Sequence, residues 1–336
     1  MKTREGDLIE DANDSIFDVK GLVHPPDRII AFPRFVPNPA GERRRADVSY
    51  SKVYALSERF AFLEKKFPEY LVHDKVFDNR LCEVPIKVVK NHYHPAERLQ
   101  NLYREDKLDS VESQALRFVK ILKENANLSW SKLGISGSIL VGLHTPTSDI
   151  DPVVYGSESC RKTYAALKLL LKDKKSPVKS YSLDGLRRLF DFRSKDTVTS
   201  FEDFIRTESR KVFQGTFMGR DYFIRFVKDW NEVDEEYGTI QYKSVGYTKI
   251  KATVVDDSDM NFTPCRYKIS NVEFLEGNCA ESVEEIVSFR GRFCDQARNG
   301  ETVVAQGKVE RVQKLGEREH YRLLLGNKIS DYMILA

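Results

Sequence analysis

Gly137-Ser138 and, ten intervening residues later, Asp149-Ile150-Asp151 are the residues whose types and spacing suit phosphoryl chemistry. Two carboxylates at i and i+2 on a strand share one face, about 6.5–7 Å apart along the backbone, so both reach one divalent cation. Glycine followed by serine at the opening of a helix offers unhindered N–H groups and a hydroxyl, which suit a phosphate. Taken singly, each half also has an ordinary reading: a solvated acid and a turn-capping acid at a loop–strand junction, and a serine N-cap. Together, at this distance, they point to a metal and a phosphate held side by side.

The elements that would position them follow from hydrophobic periodicity. Asp109-x-x-Glu112 has capping-box spacing, and Val111, Ala115, Phe118, Val119 and Leu122 recur on one helical face behind it. After a polar break, Lys132–Ser136 has strand character, and the apolar run Ile139–Leu143 is too short to assign a period. Residues 149–155 alternate as a strand, although Pro152 offers no ladder donor, and a helix is predicted from about Glu158 to Lys172. A further helix spans about Ser200–Lys211, and Phe213–Gly219 and Tyr222–Val227 read as two strands around a glycine turn.

Leu133-Gly-Ile-Ser-Gly137-Ser138, followed by Thr147-Ser148-Asp149-Ile150-Asp151-Pro-Val-Val-Tyr155-Gly156, resembles the signature of the DNA polymerase beta nucleotidyltransferase superfamily. The motif covers about twenty residues, and the flanks resemble uncharacterised predicted archaeal nucleotidyltransferases. The resemblance implies that Asp149 and Asp151 are catalytic and hold Mg²⁺ (or Mn²⁺) against a nucleoside triphosphate, while Gly137 and Ser138 contact its triphosphate tail. It also implies a hydroxyl acceptor on RNA, DNA, protein or a small molecule, with release of pyrophosphate. A third carboxylate belongs on a later strand in that superfamily. Here the corresponding strand, Gly219–Val227, has Ile224 and Arg225 at its centre. Two consequences follow: the third ligand comes from elsewhere, or the fold binds nucleotide or RNA without efficient chemistry.

Arg225, an arginine in an apolar strand, needs an acidic or phosphate partner, so Asp149, Asp151 and a nucleotide phosphate are its candidates. Arg193, Lys195, Arg206, Arg210 and Lys211 could clasp a triphosphate, but a solvated helix face is the commoner use of such charges. His92 and His94 are two apart and could ligate a metal; with no third ligand nearby, a surface loop is the expected role. Arg43-Arg44-Arg45 is expected in an exposed loop rather than on a nucleic-acid backbone. Phe289-Arg-Gly-Arg-Phe293 interleaves aromatic and basic residues as nucleic-acid-binding barrels do, and a core-facing role for its aromatics is equally open.

The wider composition bounds these readings. A chain of 336 residues accommodates about two domains and a small third module. With 41% hydrophobic and 31% charged residues and no long apolar run, it reads as globular with no membrane span. The first twenty residues carry acids where a secretory signal needs an apolar stretch, so the cytoplasm is the expected location. A net charge of 54 − 51 = +3 excludes coating of nucleic acid by bulk charge and leaves room for a local cationic site. Cys82, Cys160, Cys265, Cys279 and Cys294 form no C-x-x-C pair and are expected as small buried hydrophobes. Prolines at 25, 26, 33, 37 and 39 predict short strands and loops before about residue 51, with a helix over Ser51–Lys66. From Gly238 onward, several runs of strand length predict a small sandwich or barrel. The expected architecture is α+β: a β/α extension (1–104), a nucleotidyltransferase-like core with a mixed sheet and helices (105–235), and a C-terminal β-barrel-like domain (236–336).

Overall fold

The proline-rich start folds as strands, because proline cannot continue a helix but is tolerated at sheet edges and bulges. A computed structural model describes residues 1–277 and 283–336; Cys279 lies outside the described residues. Strands β1 (Leu8–Asp11), β2 (Ile16–Val19), β3 (Arg28–Pro37), β4 (Arg43–Arg45) and β5 (Val48–Lys52) begin an eight-stranded sheet. It is completed by β6 (Leu71–Asp74), β7 (Asn79–Pro85) and β8 (Val89–Tyr93), in the order β4-β5-β3-β2-β1-β8, with β7 also on β3 and β6 on β7. The first helix, α1 (Leu56–Lys66), starts later than its periodicity predicts because Val48–Lys52 is taken by the sheet.

The register of β2 on β3 slips: Ile16 pairs with Phe35 and Phe17 with Pro33, so Arg34 is an extra residue. Such bulges re-aim a side chain. Arg34 reappears below.

Helix α2 (Pro95–Arg104) precedes α3 (Ser110–Asn125), whose N-cap Asp109 accepts the Val111 and Glu112 amides as the capping box predicts. Val111, Ala115, Phe118, Val119 and Leu122 are all buried. Strand β9 (Leu133–Ile135) leads into a single helical turn, α4 (Gly137–Leu140), then β10 (Pro152–Tyr155) and α5 (Ser157–Lys172). Strand β11 (Val178–Lys179) is followed by two helices: α6 (Leu183–Arg193), which the hydrophobic pattern did not reveal, and α7 (Phe201–Glu208).

Next come β12 (Gln214–Phe217), β13 (Arg220–Phe223) and β14 (Arg225–Val227). Strand β10 is the centre of a three-stranded sheet, antiparallel to β9 and parallel to β14, while β11, β12 and β13 form another sheet. Pro152 explains an interruption here. Ile150 bridges Tyr222 and Val153 pairs with Arg225, but the step between them lacks the amide that residue 152 would donate.

The C-terminal strands are β15 (Ile240–Asp256), β16 (Cys265–Glu276), β17 (Val283–Ser288), β18 (Thr302–Lys314), β19 (His320–Leu325) and β20 (Tyr332–Leu335). They run β15-β16-β17-β19-β18, and β15 pairs with β18 to close a five-stranded barrel; β20 adds to β18. The expected C-terminal barrel is therefore present. A register shift at Ser244/Gly246, with Gly246 at φ +141°, marks a bulge in the long β15 strand.

The chain divides into two compact units: residues 1–72, 81–180 and 212–234 form the first, and residues 73–80, 181–211 and 235–336 the second. Cys82, Cys160, Cys265 and Cys294 are buried free thiols. Among the described residues no helix is long and apolar enough to cross a membrane.

Candidate metal and phosphate site

In the first unit, the turn after β9 and the approach to β10 are locked together by the Ser136 amide, which donates to the Asp151 carbonyl at 2.8 Å. Ser136 is further held by its hydroxyl, which donates to the Gly6 carbonyl at 2.6 Å. This brings Gly137 against Asp151. A Cβ at residue 137 would lie 1.9 Å from Asp151 Oδ2, and Gly137 has φ +65°, so both space and backbone conformation require glycine. Ser138 is 4% exposed, and its hydroxyl makes no hydrogen bond to a described residue.

Asp149 and Asp151 flank Ile150, whose backbone is pinned on both sides of Tyr222: its amide donates to the Asp221 carbonyl at 2.9 Å, and its carbonyl accepts from Phe223 at 3.0 Å. Ile150 and Tyr222 are both buried, so the two acids turn away from that core. Asp151 is only 6% exposed. Burial first, and the Asp149 charge second, push its carboxyl up to about 6. A pair of like charges in this setting favours a cation between them.

Cations stand nearby. Arg34, on the β3 bulge, is 8% exposed and its guanidinium makes no hydrogen bond or salt bridge to a described residue; it lies over the Tyr54 ring at 5.2 Å. Its charge and that of Lys52 act on Asp151. Burial, reinforced by Arg34, holds the Lys52 ammonium below its ordinary range, while Asp149 and Asp151 pull it back. The sequence carried one signal for Arg34, a charge inside the apolar run Ile29–Val36, and none for Lys52, which ends an ordinary edge strand.

Arg225 is placed differently from its candidate pairings. Its Nη1 donates to Glu5 at 2.7 Å and its Nη2 is 3.8 Å from Asp18, so acids of the N-terminal segment hold it rather than Asp149 or Asp151. Burial opposes the Asp18 charge, but Lys20, Arg225, Arg34 and Arg59 outweigh it and hold that carboxyl well below the usual range. The strand from Gly219 supplies an acid at another level: Asp221 precedes Tyr222, which places it level with Asp149 across the parallel bridge.

Several other candidates are consumed elsewhere. Arg193, Arg210 and Lys211 belong to the second unit, where they pair with Glu208 and Glu301 at 2.5–2.6 Å; Lys195 is exposed, and Arg206 reaches the Leu335 carbonyl. Strand β17 ends at Ser288 and Gly291–Phe293 is a 3-10 turn, so Phe289–Phe293 is no alternating strand; Arg290 and Arg292 bind Asp196, and Phe293 is buried. Arg43 donates to the Leu143 carbonyl at 2.7 Å and Arg45 to Glu10 at 2.6 Å, leaving Arg44 as the exposed member of that trio. His92 lies on β8 rather than a surface loop, beside Asp7.

The fold is thus a mixed α+β protein with a closed barrel and a buried carboxylate, Asp151, set against a glycine turn. No family model and no solved structure matches the chain. It is similar to the uncharacterized protein MJ1086 of Methanocaldococcus jannaschii, 32% identical over 335 residues that span 97% of this chain and 96% of that protein. The chain belongs to the family of that archaeal protein.

Proposed function

We propose that this protein is a metal-dependent nucleotidyltransferase, transferring a nucleoside monophosphate from a nucleoside triphosphate to a hydroxyl acceptor with release of pyrophosphate. One observation carries the reading: Asp151 sits against Gly137 and feels the charges of Asp149, the buried Arg34 and the half-buried Lys52, neither cation having an ion-pair partner among the described residues. The donor set fits Mg²⁺ or Mn²⁺, since both ligands are hard carboxylate oxygens and their mutual repulsion is relieved by a cation. When bound, the ion supplies charge neutralisation at the reacting phosphate.

The remaining roles fall to the chain's own residues. Arg34 and Lys52 offer donors to triphosphate oxygens, and the Arg34 guanidinium has no hydrogen bond to a described residue to surrender. Ser138 offers a free hydroxyl, and Gly137 lets a phosphate approach the backbone. Arg225 braces the site by tying β14 to Glu5 and Asp18. The acceptor hydroxyl releases its proton to solvent as its oxygen bonds to the α-phosphorus and the bond from that phosphorus to the bridging oxygen of the β-phosphate breaks, and pyrophosphate leaves.

A second reading rests on Arg225, which stands on the strand where the superfamily resemblance implies a carboxylate: a fold that binds nucleotide or RNA without turnover. Incubation with each labelled triphosphate, Mg²⁺ or Mn²⁺ and pooled RNA separates the two. Transfer predicts pyrophosphate release that vanishes in Asp149→Asn and Asp151→Asn and falls in Asp221→Asn if that acid serves as third ligand. Retained nucleotide binding without pyrophosphate supports the second reading.

A further inference from the structure

The strand register assembles a second group of ligands in the first unit. Leu8 pairs with Tyr93 in the antiparallel β1–β8 ladder, so Asp7 and His94 are the next cross-strand neighbours. His92, two residues from His94, falls on the same face. One ligand atom from each of Asp7, His92 and His94 lies within 4.8 Å of the others.

An ordinary hydrogen-bonded His–Asp pair explains only part of this arrangement. His92 Nε2 is 2.8 Å from Asp7 Oδ2, and the two side chains are 10% and 4% exposed. That pairing leaves His94 without a purpose. Its ring centroid is 3.8 Å from that of His92, yet neither of its ring nitrogens bonds to a described residue. Asp7 Oδ1 is equally free of protein donors, since the Arg4 amide and His92 both use Oδ2.

His24, which feels the same Asp7 charge, shows what a purely structural histidine looks like here. Its Nδ1 accepts the Ile30 amide at 3.2 Å and its Nε2 faces the Thr3 carbonyl at 3.1 Å, so both nitrogens are committed.

We propose that Asp7, His92 and His94 bind a first-row transition cation of the Zn²⁺ type. Two imidazoles and one carboxylate suit such an ion, whereas the all-oxygen Asp149/Asp151 pair suits Mg²⁺ or Mn²⁺. Metal–ligand bonds of about 2.0–2.2 Å in tetrahedral geometry require donors roughly 3.3–3.6 Å apart, which side-chain rotation supplies from the present spacing. Three protein ligands leave at least one position open to water or substrate. This inference does not rest on the nucleotidyl-transfer reading.

The test is titration of the metal-stripped full chain with Co²⁺ alone, followed by visible absorption and competition with Zn²⁺. It is run on the wild type and on the Asp149→Asn/Asp151→Asn protein, so that the all-oxygen pair makes no contribution in the second. The expected result is about one equivalent of Co²⁺ with a nitrogen-ligand visible spectrum in both proteins. His94→Ala, which removes no hydrogen bond, should weaken binding more than about a hundredfold with the circular dichroism unchanged. His92→Asn should do the same. Absence of that spectrum in the wild type, or wild-type affinity in a folded His94→Ala protein, overturns the proposal.

Discussion

The first unit closes some of its buried charges, such as Glu5 with Arg225, but its buried Arg34 is held unlike the buried cations of the second unit. In the second, the buried cations Arg193, Lys211, Lys308 and Arg322 each have a carboxylate oxygen within 2.8 Å. Glu208 and Glu310 each serve two of them, and Gln296 also accepts from Lys211 at 2.8 Å. In the first, Arg34 is as buried as Arg193 yet has no ion-pair partner, and the buried Asp151 feels the like charge of Asp149. A closed pair compensates its own desolvation; an open charge does not, and persists where something outside the chain completes it. The saturated network therefore reads as structure and the unsaturated cluster as a site.

The largest expected effect is on chemistry. Asp151→Asn should lower pyrophosphate release by more than about a thousandfold while the protein remains folded, as measured by single-turnover assay. Equal activity in the variant would place the site elsewhere.

Stability should respond with opposite signs in the two units. Glu208→Gln strands two buried cations and should cost about 3–5 kcal/mol in urea unfolding while leaving nucleotide affinity unchanged. Asp151→Asn should stabilise the metal-free protein by about 1–3 kcal/mol, because it removes a desolvated charge facing another. If both variants destabilise, the distinction between closed and open charge fails.

Arg34→Met should weaken Mg²⁺–triphosphate binding by about 10–100-fold, the worth of a charged hydrogen bond or two, with unfolding free energy changed by under about 1 kcal/mol. Arg322→Met, by contrast, breaks a buried pair with Glu310 and should be plainly destabilising.

The smallest effect is a pH dependence. The Asp151 carboxyl is raised to about 6 in the folded protein, so the folded state takes up this proton before the unfolded chain does. Its contribution to stability therefore rises as pH falls through 6 and is lost as pH increases. His24, lowered to about 4 by burial, works against it: below about 6.5 the unfolded chain gains a proton that the folded state refuses. The difference between wild type and Asp151→Asn cancels His24, and it should shrink between pH 7.5 and 5.

How much of this was legible beforehand depended on whether the information was local. The Asp109 cap, the apolar face of α3 and the runs of strand length beyond Gly238 are short-range patterns, and each marks the kind of element it predicts. Helix α6 escaped because only Gly185, Leu186 and Arg193 are buried, too few to print a helical period. Asp149, Asp151, Gly137 and Ser138 stood out because two short segments hold them, although the strand expected over 149–155 begins only at Pro152 and the acids flank the isolated Ile150 bridge ahead of it. Arg34 did not, because a bulge has no signature in a two-residue period. Asp7 and His94 meet only through a register between segments far apart in the chain, which periodicity does not specify.

The central claim is that Asp149 and Asp151 hold a divalent ion against a triphosphate. Its most direct test is a crystal of the full chain grown with Mn²⁺ and a non-hydrolysable nucleoside triphosphate, read by anomalous scattering. The account predicts manganese between the two carboxylates, with triphosphate oxygens on Arg34 and Lys52. Nucleotide bound elsewhere, or no manganese at Asp149 and Asp151, would contradict it.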